Sequence, residues 1–450
     1  MIYKRIKDKL SGLDERTLNV VKNTAVTAIM KAGVLACSLI MVPVTLNYLN
    51  PENYGIWMAL TSVLYWFAFF DIGLGNGMRN YMAAALSAGD KEKARSYFST
   101  AMFILTGLAI IIGIIVIPLI QVLDINTLLN TKSIDNKGLT MITSMAVFFT
   151  LIQFVTKNIG MAYIAMQRYL VNDLIIFIGN IISLTAVYIL TKTTESNLTY
   201  IVAVFTGIPA LAFIGAAIPL FHKYPYLRPK FSCINTDIVK NIVGKGIGFF
   251  IIQITSCLVV FGSANIFISH FCGPEQVTVY NICFKLFNLL TVAFTIYLSP
   301  LWNAYTDAIV KNDYEWIKKT YIRSMRALGL LLIAGLFLFA ASGVFFKHWI
   351  GDAVTIPLEV SVCVFLYVIS FNFANCSAYL LNGFNKIRMQ IILSVVMTTV
   401  YLAVVSSVTE RYGVIGITLS MAAIYFIKGC IYVYQARLLI AQKARGIWNK

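Results

Sequence analysis

Lys31, Lys157, Lys285 and Lys428 each stand inside a stretch of sequence otherwise apolar enough to cross a lipid bilayer, with no carboxylate in the same part of the stretch. A cation at the centre of a transmembrane helix costs about 2.5–3.5 kcal/mol on insertion scales, so such residues usually face a wet cavity or a counter-ion. Several cations without carboxylate partners predict an anionic cargo. Polar residues recur around them at helical spacing. Asn281, Lys285 and Asn288 fall on one helix face, as do Asn23, Thr27, Lys31 and Ser38, and Gln153 stands one turn before Lys157. Lysine suits phosphate as a point charge on a flexible stem, while asparagine can hydrogen-bond sugar hydroxyls and aromatic rings can stack on sugar faces. The candidate substrate-binding residues are Lys31, Lys285, Asn281, Asn288, Lys157 and Lys428.

Plainer readings compete with these. Lys31 lies only about two turns from the end of its stretch at 1.5 Å per residue, close enough for its ammonium to snorkel to headgroups. Lys245 suits an interfacial anchor, and Asn372, Asn375 and Asn382 suit hydrogen bonds between helices. Asp71, Asp173 and Asp307 lie near the ends of apolar stretches. Asp71 is the candidate ion-coupling residue, with pairing to Arg79 as the alternative. Gly73, Gly75 and Gly77 have neither the preceding strand nor the βαβ unit that a phosphate-binding glycine loop requires. Pro43 and Pro118 are tolerated kinks.

The elements that must position these residues are membrane helices. The chain is 59% hydrophobic and 12% charged, against about 25% charged in a soluble domain, and its mean hydropathy is +0.79. Apolar runs long enough to span a bilayer fall near 24–46, 56–76, 97–120, 139–166, 170–190 and 198–220, then near 241–268, 278–305, 324–346, 358–382, 389–408 and 414–436, twelve spans in all. With the amino terminus inside, nearly all Lys and Arg of the flanks and loops fall on the inner side. Only Lys132, Lys137, Lys192, Lys347 and Arg411 fall outside. The positive-inside rule therefore predicts that both termini are cytoplasmic. The net charge of +17 reports topology rather than nucleic-acid binding, since no basic domain gathers it. The first span is expected to act as its own insertion signal. Of the eight cysteines only Cys272 falls in an expected outer loop, and no disulfide framework is expected.

The halves repeat. Residues 22–98 align on 245–321 at a constant offset of 223, pairing Lys22 with Lys245, Pro51-Glu52 with Pro274-Glu275, Asn80 with Asn303, Asp90 with Asp313 and Glu92 with Glu315. Six spans per half is even, so both halves run the same way, related by an axis along the membrane normal. The expected fold is an all-α polytopic membrane protein of two six-helix lobes, 1–220 and 241–450, joined by a cytoplasmic connector over 221–240.

The segments LNPENYGIW (Leu49 to Trp57), FDIGLGNGMRNYMA (Phe70 to Ala83) and AGDKEKARSYFS (Ala88 to Ser99) resemble the Wzx-type flippases of O-antigen and related polysaccharide pathways. That group belongs to the superfamily that also holds MATE multidrug exporters and lipid II flippases. The resemblance implies a bilobed transporter of a bacterial inner membrane, with a cavity lined mainly by spans 1, 2, 7 and 8, working by alternating access. It implies a substrate made of an oligosaccharide on an isoprenoid diphosphate, carried from inner to outer leaflet, with the membrane lipids and the polymerase and ligase of the same pathway as partners. The alternatives are a MATE-like ion-coupled exporter of small amphiphiles and a membrane polymerase or ligase. Against an enzyme, the longest outer loop offers only Asp124 and Asp135, His222, His270 and His348 lie apart, and no Walker motif occurs. No cofactor and no nucleic acid are expected.

Overall fold

The computed structural model describes residues 15–69, 74–235 and 262–449, with positions 252 and 255. Among these residues the regular structure is entirely helical. The helices are α1 (Glu15–Leu64), α2 (Leu74–Ser87), α3 (Lys91–Val122), α4 (Ile125–Leu129), α5 (Asn136–Ala165), α6 (Tyr169–Thr193), α7 (Leu198–Val202), α8 (Ile208–Lys223), α9 (Ala264–Cys272), α10 (Pro274–Val310), α11 (Tyr314–Ile350), α12 (Leu358–Gly383) and α13 (Arg388–Ile440). A π-helical segment, Ala203–Gly207, joins α7 to α8.

Among the described residues nine helical stretches are long and apolar enough to cross a membrane. Two are double. α1 breaks at Asn50 (φ 72°, ψ 165°) and α13 at Gly413 (φ 57°, ψ −141°), so each is two helices run together. Counting both as two brings nine to eleven of the twelve expected spans. The seventh, expected at 241–268, lies mostly outside the described residues, as do Asp71, Gly73 and Lys245. Helices dominate because a bilayer offers no water to satisfy backbone N–H and C=O groups, leaving intrahelical bonds as the solution. The exposed apolar stripes, such as Ile110, Ile111, Ile114 and Ile115 on α3 and Leu330, Ile333 and Phe337 on α11, are surfaces suited to lipid tails rather than water.

The chain divides into two compact units interleaved in sequence. The first holds 1–48, 73–118 and 144–242, the second 49–72, 119–143 and 243–450. The first unit's core joins Met78, Met82, Phe98, Ile159, Tyr163 and Leu220. The second has a cluster of Phe294, Leu298 and Cys376, and Phe365 packs against both Phe287 and Phe339 with centroids 5.7 Å apart.

The repeat at offset 223 appears in the backbone. After α2, the amides of Ala88, Gly89 and Asp90 donate to the carbonyls of Ala84, Leu86 and Ala85. After α10, those of Lys311, Asn312 and Asp313 donate to Asp307, Ile309 and Ala308. Gly89 (φ 78°) and Asn312 (φ 56°) are both left-handed, as a helix C-terminus of this kind requires. Asp90 and Asp313 then cap the next helix, accepting from the amides of Lys93 (2.8 Å) and Trp316 (3.0 Å). The aligned aspartates hold their places because each satisfies an otherwise orphaned N–H.

Candidate functional site

In the first unit a pocket of about 770 Å³ is lined by Thr27 and Lys31 of α1, Arg79 of α2, Gln167 and Arg168 of the turn between α5 and α6, and Asp173 of α6. The turn is built locally. Arg168 N donates to Tyr163 O at 2.8 Å, and Gln167 takes a left-handed φ of 62°, closing α5 with a residue other than the usual glycine. The reversal brings Arg168 and Asp173 to the pocket that Lys31 and Arg79 also line. The Arg168 guanidinium sits 5.4 Å from the centre of the Tyr224 ring, a cation–π contact that leaves its N–H groups available. Arg79 donates through Nε and Nη2 to Asn80 Oδ1 at 3.2 and 3.1 Å.

Among the described residues three cations against one carboxylate line the pocket and make it basic, and none of the three forms an ion pair with another described residue. A phosphate is the group that such an arrangement holds best, because guanidinium forks bond its oxygens in pairs and a lysine adds a mobile charge. Sequence reasoning reached Lys31 but took Arg168 only as a topology residue and Arg79 as a topology residue and a pairing partner for Asp71. Their signal was positional, as both lie near expected span ends. The carboxylate Asp307 forms a surface pair with Lys311 at 2.7 Å.

The other sequence-named residues are dispersed. Lys157 does not line the basic pocket; it is half-buried, with its ammonium 5.2 Å from the centre of the Phe154 ring. In the second unit, Asn281 donates to Asn265 Oδ1 at 2.9 Å and to Val277 O at 2.7 Å, while Asn265 donates to Ser62 Oγ at 2.9 Å. Lys285, a turn further along α10, is half-buried and has no hydrogen-bond or ion-pair partner among the described residues. Asn288 lines a separate cavity of about 190 Å³. Lys428 is 2% exposed, with its ammonium 3.4 Å from Ser394 Oγ and 5.2 Å from the centre of the Tyr425 ring. The ring and hydroxyl partly replace the water that this cation has left.

Residues 20–302 match the family described as polysaccharide biosynthesis protein. A protein of Salmonella typhi described as a candidate O-antigen transporter is 23% identical over 422 residues, covering 89% of this chain and 91% of its own length. One from Yersinia pseudotuberculosis, described as a candidate O-antigen export protein, is 24% identical over 62% of this chain and 64% of its own. Among solved structures, the inward-facing conformation of a MATE family multidrug resistance transporter of the MOP superfamily superposes with a TM-score of 0.73, covering 91% of this chain and 95% of that one at 15% identity. The fold is therefore that of the MATE transporters, and with well over half of its length matched, the chain belongs to the polysaccharide biosynthesis protein family.

Proposed function

We propose that the chain is a flippase carrying an isoprenoid-diphosphate-linked oligosaccharide from the inner to the outer leaflet of a bacterial inner membrane by alternating access. The observation that carries this reading is the basic pocket of Lys31, Arg79 and Arg168. A diphosphate bears several negative charges, and hydrogen bonds to charged groups contribute about 1.5–3 kcal/mol each. The named relatives support a surface-polysaccharide cargo. The two lobes, 1–220 and 241–450, related by a pseudo-two-fold along the membrane normal and joined by the connector 221–240, supply the rocking bodies of this mechanism. Both termini are placed in the cytoplasm by the lysine and arginine distribution. Transport rather than covalent chemistry is the activity, in keeping with the names of the relatives. Asp71 remains the residue proposed for ion coupling.

The likeness to a multidrug transporter favours a second reading, export of small organic cations. Such cargo would be repelled by three cations facing one carboxylate. Proteoliposomes holding the purified protein and an isoprenoid-diphosphate glycolipid test the first reading through exposure of the sugar to an added, membrane-impermeant lectin. Transfer that depends on the protein and is lost on replacing Lys31 and Arg168 with alanine supports it. Unchanged transfer in that variant removes the pocket from the first reading, whereas absence of protein-dependent transfer, or loss of dye resistance without loss of surface polysaccharide in cells, favours the second.

A further inference from the structure

The cavity of about 190 Å³ between α10 and α12 is unlike the basic pocket. Phe284, Tyr367 and Phe371 give it aromatic walls, and Asn288, Asn375 and Thr295 bring polar groups to it. The walls are braced. Phe284 stacks on Tyr367 with centroids 5.9 Å apart and planes 24° apart, and Phe371 meets Tyr425 edge-on at 5.0 Å. Thr291, also in the lining, is held from outside by Asn372, whose Nδ2 donates to Thr291 Oγ1 at 2.9 Å and to Val368 O at 2.8 Å. Asn372 Oδ1 is buried and accepts from no group among the described residues.

The asparagines of α12 therefore divide. Asn372 bonds between helices, and Asn382 accepts from Gln390 at 3.1 Å. Asn375, by contrast, faces the cavity and makes no hydrogen bond among the described residues, as does Asn288 across from it. An amide left facing space brings two donors and a two-lone-pair acceptor. Two such amides over aromatic walls match one class of ligand. A pyranose presents an apolar C–H face, electropositive at its hydrogens, to the electron-rich ring faces, and adjacent hydroxyls that both donate and accept at its rim. The volume falls below the roughly 300–1,000 Å³ of sites for drug-sized molecules, leaving space for one ring rather than a chain. Among the described residues no cation lines the cavity, which disfavours a phosphate as its occupant, and the amides suit an isoprenoid tail poorly.

We infer that this cavity is a monosaccharide subsite, holding one sugar of the cargo. The inference rests on the glycolipid reading above and assigns to α10 and α12 the recognition of sugar.

The test is binding of two probes to the purified full-length protein: the isoprenoid diphosphate carrying the repeat unit of the cells that express this chain, and the same lipid with the sugar removed. The wild type should bind the sugar-bearing probe about tenfold more tightly, a difference of the size of one good hydrogen bond or ring contact. Asn375→Ala and Phe371→Leu should each erase that preference while leaving the bare lipid unchanged, with thermal unfolding monitored to confirm folding. Asn288→Ala gives an independent readout should either variant fail to fold. Arg168→Ala should weaken both probes alike. Equal binding of the two probes by the wild type overturns the subsite alone, as do cavity variants that retain the preference or weaken both probes equally. Failure of the wild type to bind either probe overturns the glycolipid reading itself.

Discussion

The hydroxyl of Thr278 donates to the carbonyl oxygen of Pro51 at 2.6 Å, and its repeat counterpart Gly55 lies against the carbonyl of Pro274, the counterpart of Pro51. The contact is reciprocal, each half placing a small residue of its helix on the first turn of the other. A Cβ at residue 55 would collide with Pro274 O, so only glycine permits this approach. Gly55→Ala should therefore separate the two turns and lower the thermal midpoint in detergent severely. Thr278→Val removes one hydrogen bond of about 1 kcal/mol and should lower it far less. Equal shifts for the two variants would contradict the close-approach account.

Asn50 (φ 72°, ψ 165°) and Gly273 (φ 88°, ψ 159°) stand 223 residues apart in nearly one backbone conformation. That region is essentially reserved for glycine and costs other residues about 1–3 kcal/mol. Asn50 offsets part of this by accepting from Asn53 N at 2.9 Å. Asn50→Gly should thus keep or raise the melting temperature, and Gly273→Ala should lower it.

Loss of charge in the basic pocket should weaken binding of the bare isoprenoid diphosphate. Replacing Lys31, Arg79 or Arg168 singly with alanine is expected to cost about tenfold each, near 1.4 kcal/mol. Arg168→Lys should recover part of the loss, because it keeps the charge but not the bidentate fork. Titration calorimetry at two salt concentrations checks both the size and the electrostatic origin.

Asn281 and Asn265 form one polar pair inside the second unit. Such bonds in membranes contribute about 0.6 kcal/mol on average, whereas an orphaned buried partner costs about 1–3 kcal/mol. Each single leucine replacement should therefore destabilise more than the double replacement, as read from a double-mutant cycle in detergent. A pair that binds cargo instead would show additive stability effects and a shared loss of affinity.

The loop helix α4 should loosen only in acid. The Thr127 hydroxyl donates to Asp124 Oδ2 at 2.5 Å and the Thr127 amide to Oδ1 at 3.2 Å, holding this carboxyl below the usual carboxylate range. A depressed value in the folded state stabilises above the unfolded value, about 3.9, and the effect is lost as pH falls through the folded one. Amide protection factors across residues 125–129, taken against the intrinsic exchange rate at each pH, should stay flat from neutral pH to about 5 and fall below about 4. Asp124→Asn should abolish that acid step.

Spans, turns and repeat were legible in the sequence because each depends on neighbouring residues alone. A bilayer demands long apolar runs whatever their neighbours, and the aspartates after α2 and α10 cap helices that begin at the very next residue. The Asn281, Lys285 and Asn288 stripe was read correctly as one helix, but helical spacing says nothing of what stands opposite. Packing gave Asn281 a partner in Asn265, left Lys285 without one among the described residues and turned Asn288 to a cavity with Asn375. Arg79 and Arg168 met Lys31 only because α1, α2 and the turn after α5 converge. Hydropathy and periodicity are properties of a segment, so the sequence by itself determined a polytopic helical membrane protein with a repeated design. Which charges and amides share a space depends on side-chain packing between segments distant in the chain, and that only the tertiary structure decided.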